Sequence, residues 1–444
     1  MSRRFSCLLS LCVLAVLALC APAGASAAVS CDRVAAPSGS DSAIGTVTAP
    51  LRTLEALLAA VQPGQTACLR GGTYGDVEPR LHAPDVELTS YPGETVTITS
   101  MLEVMRTAKR SHVHHLNFDA RNFDSTAAIK IQADDTILSD NNITKGGKSI
   151  CLQVASSYVA YRVRIERNRI YDCGPASTKF DHQIYLESSR DAIVRNNILT
   201  GNAGGWGVHL YADADGSLIE HNIIDGNRGG VIFAGDGNTT SDRNVVRNNA
   251  ITNSGPRWNI EGSWSGGPRG TGNSAHHNCL YTTGPDGPDG IETTAGGFTP
   301  SSNVAVDSNP YVNRSRGDLR FKADSACARL VGDVAGPSVG TARIASVRFA
   351  LSLRAGRRQV RAGGKARLRG RLLAPQRAAG AKVRIQLRSN GKWRTLAVRR
   401  TRADGRFAIR LQTGKARRAR VSRLRAVVRG VAKSRTVRLR IKPR

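Results

Sequence analysis

The chain has 444 residues, of which 40% are hydrophobic and 5% aromatic, and its formal net charge is +30. The length exceeds one ordinary domain and the hydrophobic content can support a sizeable core, which excludes a globally disordered chain. Residues 341–444 hold 34 Lys and Arg and one acid, Asp404, whereas the first 340 residues hold 30 basic and 33 acidic residues. The sequence therefore joins a nearly neutral part, of net charge −3, to a part of net charge +33.

The N-terminal segment has the pattern of a secretory signal. Arg3 and Arg4 precede an apolar run over residues 7–20, and an Ala-Ser-Ala sequence at residues 25–27 provides a small-residue cleavage site. We predict a signal peptide over residues 1–27. The apolar run is short for a membrane span, and no later stretch reaches about 18 apolar residues. We therefore expect a secreted, extracellular protein with no transmembrane segment, which could associate with the cell surface.

Six cysteines remain after the predicted signal is removed. An even number in an exported chain favours disulfides, because no Cys-x-x-Cys pair with metal-ligand spacing is present. Six cysteines allow 15 connectivities. Their order along the chain suggests one of these as a hypothesis: Cys31–Cys68, Cys151–Cys173 and Cys279–Cys327.

A hexad of the form apolar-x-x-Asn-x-apolar recurs through the middle of the chain. Successive copies are 25, 27, 29, 25, 27 and 29 residues apart. The fourth position of the copies is occupied by Leu116, Asn141, Asn168, Asn197, Asn222, Asn249 and Asn278. Repetition at this period predicts a solenoid, and the alternation of apolar residues within each unit predicts short strands rather than helices.

Stacking of such turns would pair each strand with the strands of the turns above and below, at a spacing of about 4.8 Å. An Asn that recurs at one place can form a ladder of side-chain amide hydrogen bonds inside a bend. Extending the period to both sides predicts about ten turns. The seven hexad positions are therefore interpreted as structural.

This pattern resembles the right-handed parallel β-helix of the pectate-lyase-like superfamily, over most of residues 40–335. Residues 50–61 predict a short amphipathic capping helix, residues 62–74 resemble the opening of the first turn, and residues 309–321 resemble the closing segment of secreted β-helix proteins. We predict an all-β protein with the following domains: an N-terminal cap and first turn over 28–74, the β-helix over 75–335, and a linker over 336–345.

Residues 346–444 alternate apolar with basic residues, for example over 382–388 and 436–442, with turn signals between the segments. They predict a small antiparallel β-sandwich, and residues 401–407 resemble a turn of Ig-like or carboxypeptidase-regulatory-like modules. Such a basic surface should bind polyanions such as a cell-wall or surface polymer, with an affinity that falls as salt rises. Nucleic acid is not expected, because interleaved aromatic residues are scarce. A solvated spacer without a specific partner is the open alternative.

The strand before each hexad carries polar and aromatic residues at alternate positions, which predicts an outward-facing row along one sheet. We align Lys130, Tyr185, His209 and Glu261 at one position of these strands. A second position aligns Gln132, Gln153, Glu187 and Tyr211. Aromatic rings stack on sugars, and the polar side chains bind hydroxyls or transfer protons, so the row predicts a polysaccharide site.

In the lyases and epimerases of the resembling superfamily, a basic or phenolic side chain removes the C5 proton of a uronate while a cation neutralises its carboxylate. The resemblance implies His182, Tyr185 and His209 as proton-transfer groups and Lys130 as the neutralising cation. The expected substrate-binding residues are Gln153, Glu187, Trp206, Tyr211 and Glu261. Glu187, Asp213 and Asp215 are candidate calcium ligands, although a solvated turn also explains the two Asp residues.

We therefore predict a monomeric protein that acts on an acidic polysaccharide, with β-elimination as the leading reaction. The sequence has no Asp-Pro-His motif of the alginate-epimerase type. Glycoside hydrolysis by Glu187 with Asp213 or Glu261 is an alternative. A noncatalytic adhesin or structural protein is another. Solvent-exposed turns rather than metal sites are predicted for the clustered histidines, which are His112, His114, His115, His276 and His277.

Overall fold

The computed structural model describes two compact parts of the chain, which divide between residues 342 and 343. The described residues are 31–75, 77–262, 266–282, 290–292, 294–334, 337, 350–356, 359–373, 382–389, 392–402, 406–414, 418–428, 432–434 and 436–443. The predicted signal peptide lies outside them, as does the predicted linker apart from Pro337. Within the described residues, no helix is long and apolar enough to cross a membrane.

The first part is a solenoid built from three parallel sheets, named sheet 1, sheet 2 and sheet 3. In each sheet the strands follow one another in chain order, so each turn of the solenoid pairs with the turns before and after it. The three sheets contain 11, 10 and 8 strands, which corresponds to about nine turns. The predicted parallel solenoid is confirmed, with nearly the expected number of turns.

The strands of the solenoid are short, as the brief apolar alternations predict. Sheet 1 consists of Arg33–Ala35, Thr66–Leu69, Glu87–Ser90, His112–His114, Ile137–Ser139, Arg164–Glu166, Ile193–Arg195, Leu218–Glu220, Val245–Arg247, Ser274–His276 and Thr299–Ser301. Sheet 2 consists of Gly72–Tyr74, Val96–Ile98, Asn117–Asp119, Asn142–Thr144, Arg169–Tyr171, Ile198–Thr200, Ile223–Asp225, Ala250–Thr252, Cys279–Tyr281 and Val304–Ala305. Sheet 3 consists of Arg80–Leu81, Leu102–Val104, Ala127–Ile131, Ile150–Val154, Ile184–Leu186, Trp206–Leu210, Gly229–Phe233 and Ile260–Glu261. A small parallel pair joins Ala160–Tyr161 to Ser189–Arg190.

The repeated Asn occupies the bend between sheet 1 and sheet 2, where it forms a continuous ladder. Nδ2 of Asn141 donates to Oδ1 of Asn168 at 3.1 Å, and the same oxygen accepts from the backbone N–H of Asn141 at 3.0 Å. The residue before each Asn turns the chain with a positive φ, such as 58° at Asp140 and 56° at Arg167. The predicted ladder is confirmed, and it continues one turn further, to Asn303.

The apolar positions of the strands point into the solenoid, where they form one buried cluster along its length. The helix Leu54–Ala60 packs against the first strands and buries Leu54, Leu57 and Leu58 in that cluster. Its N-cap, Thr53, accepts a hydrogen bond from the N–H of Ala56 at 3.1 Å. The predicted capping helix is confirmed, although it is shorter than residues 50–61.

The segment after the last turn forms an antiparallel hairpin, from Tyr311–Asn313 and Asp318–Phe321, around the 3-10 turn Arg314–Arg316. The helix Ala326–Leu330 follows. Their apolar residues pack on the outer positions of sheet 2, where Tyr311 and Cys327 cluster with Ile223, Ala250 and Cys279. The closing segment therefore lies along one side of the solenoid.

The three disulfides of the hypothesis are all present: Cys31–Cys68, Cys151–Cys173 and Cys279–Cys327. The first joins the strand Arg33–Ala35, at its start, to the next strand of sheet 1. The last attaches the helix Ala326–Leu330 to sheet 2. Disulfides of this number are typical of chains that fold in an oxidising compartment.

The second part of the chain is a β-sandwich, and its two sheets share one buried apolar cluster. One sheet contains Ala350–Leu351, Arg354–Ala355, Lys365–Leu373 and Arg406–Gln412. The other contains Gln359–Arg361, Lys382–Ser389, Lys392–Arg400, Arg420–Val428, Ala432–Lys433 and Val437–Lys442. Pairing is antiparallel except between Gln359–Arg361 and Val437–Lys442, which are parallel. In Val437–Lys442 the leucine and isoleucine are buried while Arg438, Arg440 and Lys442 are exposed.

Candidate functional site

Sheet 3 brings most of the predicted row together on its outer side. The pairing of its strands places eight residues at one position of successive turns: Arg80, Glu103, Lys130, Gln153, Tyr185, His209, Ile232 and Glu261. Gln153 was aligned with Glu187 from the sequence, and this alignment is wrong by two residues, because Gln153 pairs with Lys130 and Tyr185. Its side chain nevertheless reaches Glu187, donating from Nε2 to Oε2 at 2.8 Å.

His209 of this row forms a buried pair with His182, which precedes the strand Ile184–Leu186. His182 and His209 are 2% and 5% exposed, and Nε2 of His182 lies 2.7 Å from Nδ1 of His209. Burial lowers the pKa of His182 to about 3. Burial, followed by the neighbouring His182, also lowers the pKa of His209 well below its usual range. Both imidazoles are therefore neutral near pH 7.

The direction of the hydrogen bond between the two rings follows from the backbone. The N–H of Trp206, which can only donate, points to Nδ1 of His182 at 3.3 Å, so the proton of His182 is on Nε2. His182 then donates to Nδ1 of His209, and His209 carries its proton on Nε2. Nε2 of His209 is buried and has no hydrogen-bond partner among the described residues. His209 therefore presents a donor at this atom.

Tyr185 and Tyr211 cover the buried pair and are only half-buried themselves. Their rings stack on the ring of His209, with centroid distances of 5.4 and 5.1 Å and interplanar angles of 23° and 25°. Burial, followed by the charge of Glu187, raises the pKa of Tyr185. Burial, followed by a hydrogen bond to Asp236, raises the pKa of Tyr211 to about 12. Both phenols are protonated near neutral pH, and both are accessible from outside.

Trp206 and Glu261, two of the predicted substrate-binding residues, lie inside the protein. They are 0% and 1% exposed. The indole Nε1 donates to one carboxylate oxygen of Glu261, and Nη2 of Arg257 donates to the other. Burial raises the pKa of Glu261 to about 7, despite the opposing effect of Arg257. The neighbouring turn leaves room for the indole because residue 229 is glycine. A Cβ at this position would lie 2.4 Å from Nε1 of Trp206, which is too close.

The candidate calcium ligands are not brought together. Asp213 accepts a hydrogen bond from Arg190 at 2.7 Å. Asp215 accepts one from Arg243 at 2.9 Å. Ion pairing therefore explains both Asp carboxylates without a cation. The backbone carbonyl of Glu187 accepts from the N–H of Asp213 at 3.1 Å, but the Glu187 carboxylate accepts from Gln153, and no metal-binding group among the described residues contains these carboxylates. Burial raises the pKa of Glu187, and the hydrogen bond from Gln153 opposes the shift.

One residue of this region was missed by the sequence reasoning. Asp236 is exposed and follows the strand Gly229–Phe233, and its carboxylate interacts with the hydroxyl of Tyr211. Asp236 lies three residues after the end of the strand, in a loop that contains glycine. The alternation of the strand stops before it, so the sequence pattern gives no signal for this residue. We name the accessible group the sheet 3 face; it consists of Lys130, Gln153, Tyr185, Glu187, Tyr211 and Asp236.

The sheet 3 face is distinct from a cavity of about 640 Å³ on the outer side of sheet 2. That cavity lies between Thr200 and the hairpin after the last turn, and it is polar, with Arg314 paired to Asp225 at 2.7 Å. None of the sheet 3 face residues lines it.

Residues 106–305 match a family model described as a right handed beta helix region. The solenoid is a right-handed parallel β-helix. The resemblance seen in the sequence is thus confirmed at the level of the fold, and the sheet 3 face lies on the outer side of this β-helix.

Two solved structures are similar to the chain. One is a rhamnogalacturonan lyase, at 11% identity and a TM-score of 0.44, covering 71% of this chain and 96% of that one. The other is described as the complex structure of XylC with xylose, at 12% identity and a TM-score of 0.33, covering 61% of this chain and 69% of that one. No curated protein matches the chain.

Proposed function

We propose that the β-helix is carbohydrate-active and that the sheet 3 face binds an acidic polysaccharide outside the cell. The stack of Tyr185 and Tyr211 on His209 carries this proposal. The two accessible phenol rings are nearly parallel, at 24°, with centroids 6.3 Å apart. Rings held in this way can pack against the faces of sugars, while Gln153 and Glu187 offer hydrogen bonds to hydroxyl groups. Lys130 adds a cation suited to the carboxylates of the polymer.

The reaction we propose is β-elimination, with Tyr185 as the proton-transfer residue. Its phenolate would take the C5 proton of a uronate, the bond from C4 to the glycosidic oxygen would break as the double bond forms, and the phenol would return the proton to the departing oxygen. Lys130 would stabilise the negative charge that develops on the carboxylate. His182 and His209 lie too deep to touch a polymer, so we assign them the positioning of the Tyr185 ring.

Glycoside hydrolysis is a second candidate, because Glu187 has a property that a general acid needs. Burial raises the pKa of this carboxyl, which favours its protonated form. Asp236, on the other side of Tyr211, would supply the second carboxylate. The pairs predicted from the sequence are less suitable, because Asp213 is paired with Arg190 and Glu261 is buried against Arg257.

Assays on alginate, pectate and glycosaminoglycans distinguish these reactions. β-Elimination should raise the absorbance near 235 nm, whereas hydrolysis should release reducing ends without that chromophore. Tyr185→Phe should abolish the elimination and leave thermal stability nearly unchanged. Tyr171→Phe, on the half-buried tyrosine of sheet 2, is the matched control and should retain activity. Binding without either product would favour a noncatalytic adhesin, and the absence of binding and products would contradict the proposal.

We also propose that the second part of the chain holds the protein at a polyanionic polymer. Its strands alternate buried apolar residues with exposed basic ones, as in Arg406–Gln412 and Val437–Lys442. Residues 341–444 contain 34 Lys and Arg and one acid, so this part of the chain carries a large net positive charge. The resulting attraction for a polyanion should be screened by salt.

A further inference from the structure

Three imidazoles and a carboxylate meet on the outer side of sheet 1. Glu87 and His112 pair as neighbours in successive strands, and His114 lies two residues further along the strand of His112. His115 follows in the bend, with a φ of 56°. The sequence predicts solvent-exposed turns for these histidines, and this is wrong for His112 and His114, which lie in a strand where His114 is only 7% exposed.

The side chains converge on one point. One potential ligand atom from each of Glu87, His112 and His114 lies within 4.8 Å of those of the other two. Nε2 of His114 is 2.8 Å from Oε1 of Glu87, and the rings of His112 and His114 stack with centroids 4.1 Å apart. Ligands at about 2.1 Å from a tetrahedral Zn²⁺ are separated by about 3.4 Å, so small side-chain rotations would suffice to close a site.

Neighbouring hydroxyl groups hold the two rings in place. Oγ of Ser139 is 2.8 Å from Nε2 of His112, and Oγ1 of Thr89 is 3.3 Å from Nδ1 of His114. Hydrogen bonds of this kind commonly orient the imidazoles that bind metal ions. Nδ1 of His115 also lies 2.5 Å from Nδ1 of His114, which brings a third imidazole to the edge of the cluster.

The charges around the cluster do not oppose a cation strongly. Arg167, which lies on the same side of sheet 1, forms a two-pronged ion pair with Asp140, at 2.8 and 2.5 Å. Arg164 is paired with Glu166, with Nε and Oε1 2.7 Å apart. Asp140 and Glu166 thus offset part of the charge of these guanidinium groups, although Glu166 is shared with Arg195. The carboxylate of Glu87 faces the imidazoles, and its side chain is 42% exposed.

We propose that Glu87, His112 and His114 bind one divalent transition-metal ion of the Zn²⁺ class. Two imidazole nitrogens and one carboxylate oxygen suit such an ion, whereas Ca²⁺ and Mg²⁺ prefer oxygen ligands alone. Water or His115 would complete the coordination. The ligands come from the strands Glu87–Ser90 and His112–His114, so the bound ion would link two successive turns of the β-helix.

Metal titration of the full chain, prepared without a polyhistidine tag and freed of metal with EDTA, tests this site. Calorimetry with ZnCl₂ should give one site per chain, whereas MgCl₂ and CaCl₂ should give no comparable binding. His112→Gln with His114→Gln should abolish the site. Glu87→Gln changes a single half-exposed carboxylate, so it should preserve the fold and weaken Zn²⁺ binding at least about tenfold.

The matched control is His276→Gln with His277→Gln. This pair lies at the end of another strand of sheet 1 and has the same adjacent imidazoles, with their Nδ1 atoms 2.8 Å apart, but it belongs to no metal-binding group among the described residues. The control variant should bind Zn²⁺ like the natural chain, and Zn²⁺ should raise the thermal midpoint of both. Circular dichroism in EDTA checks that every variant is folded. The proposal is overturned if the natural chain binds no Zn²⁺, or if Glu87→Gln binds it with unchanged affinity.

Discussion

Removal of one amide from the middle of the Asn ladder should destabilise the β-helix by about 3 kcal/mol. Asn222 is fully buried, and its Oδ1 accepts from the backbone N–H of Asn197 at 2.9 Å. Its Nδ2 donates to the carbonyl of Val194 at 2.9 Å and to Oδ1 of Asn249 at 2.9 Å. Asn222→Ala leaves the buried N–H of Asn197 without this acceptor, at a cost of about 1–3 kcal/mol. Loss of the hydrogen bonds that Nδ2 of Asn222 donates adds about 1 kcal/mol.

Asn303→Ala, at the end of the ladder, is the control. Asn303 makes the same contacts to Asn278, at 3.0 and 2.9 Å, but it is half-buried, so water can replace the lost acceptor. Its loss should therefore cost no more than about 1 kcal/mol. Equilibrium urea unfolding, followed by tryptophan fluorescence with the disulfides intact, measures both variants. If Asn222→Ala destabilises the chain no more than Asn303→Ala, the ladder does not stabilise the solenoid as described.

Four further results are expected. Burial raises the pKa of Tyr185, so if its phenolate is the base, the elimination rate should rise about tenfold per pH unit above pH 7, and a rate that peaks in acid would instead favour hydrolysis. Glu261 has its pKa raised from 4.5 to about 7, so its own contribution to the free energy of unfolding should be full below pH 4.5 and be lost as the pH rises through 7, and the difference in free energy of unfolding between the natural chain and Glu261→Gln should show this fall. Replacing Cys279 and Cys327 with Ser opens a cross-link of separation 48, and urea unfolding should show a loss of about 4 kcal/mol. A chain that ends at residue 342 should elute from an immobilised polyanion at much lower salt than the full chain, and equal elution would contradict the proposed role of the basic part.

The sequence predicts the solenoid well because the repeated Asn side chains hydrogen-bond to the backbone. Each hexad Asn bonds main-chain groups of its own bend and of neighbouring turns, so Asn recurs at six of the seven copies and the period is visible. Asn303 escaped notice because its hexad has Pro300 and Ala305 in place of larger apolar residues. The disulfide pairing was suggested by order alone, and it is correct because each pair joins segments that are close along the chain.

The sheet 3 face could be predicted only in part, because the loops that lead to sheet 3 vary in length. Lys130, Gln153 and Tyr185 pair in successive turns although 23 and 32 residues separate them. The hexad period therefore does not give the register of this sheet. The burial of Trp206 could not be predicted for another reason: its glycine neighbours resemble a loop, but Gly229 of the next turn is what lets the indole lie inside. The approach of Glu87 to His112 in sheet 1 could not be predicted from the hexad, because the turn of Glu87 has Tyr91 at the position of the repeated Asn.

The constant ladder and the variable loops divide the chain into a part that cannot change and a part that can. Ladder steps of 25, 27 and 29 residues close on the same bend, so the extra residues of the longer turns are all accommodated elsewhere. Loops near the sheet 3 face can therefore lengthen or shorten without disturbing the Asn stack that holds the turns in register. Natural selection could alter the side chains of the sheet 3 face turn by turn, and could extend this face by about 4.8 Å with each added turn.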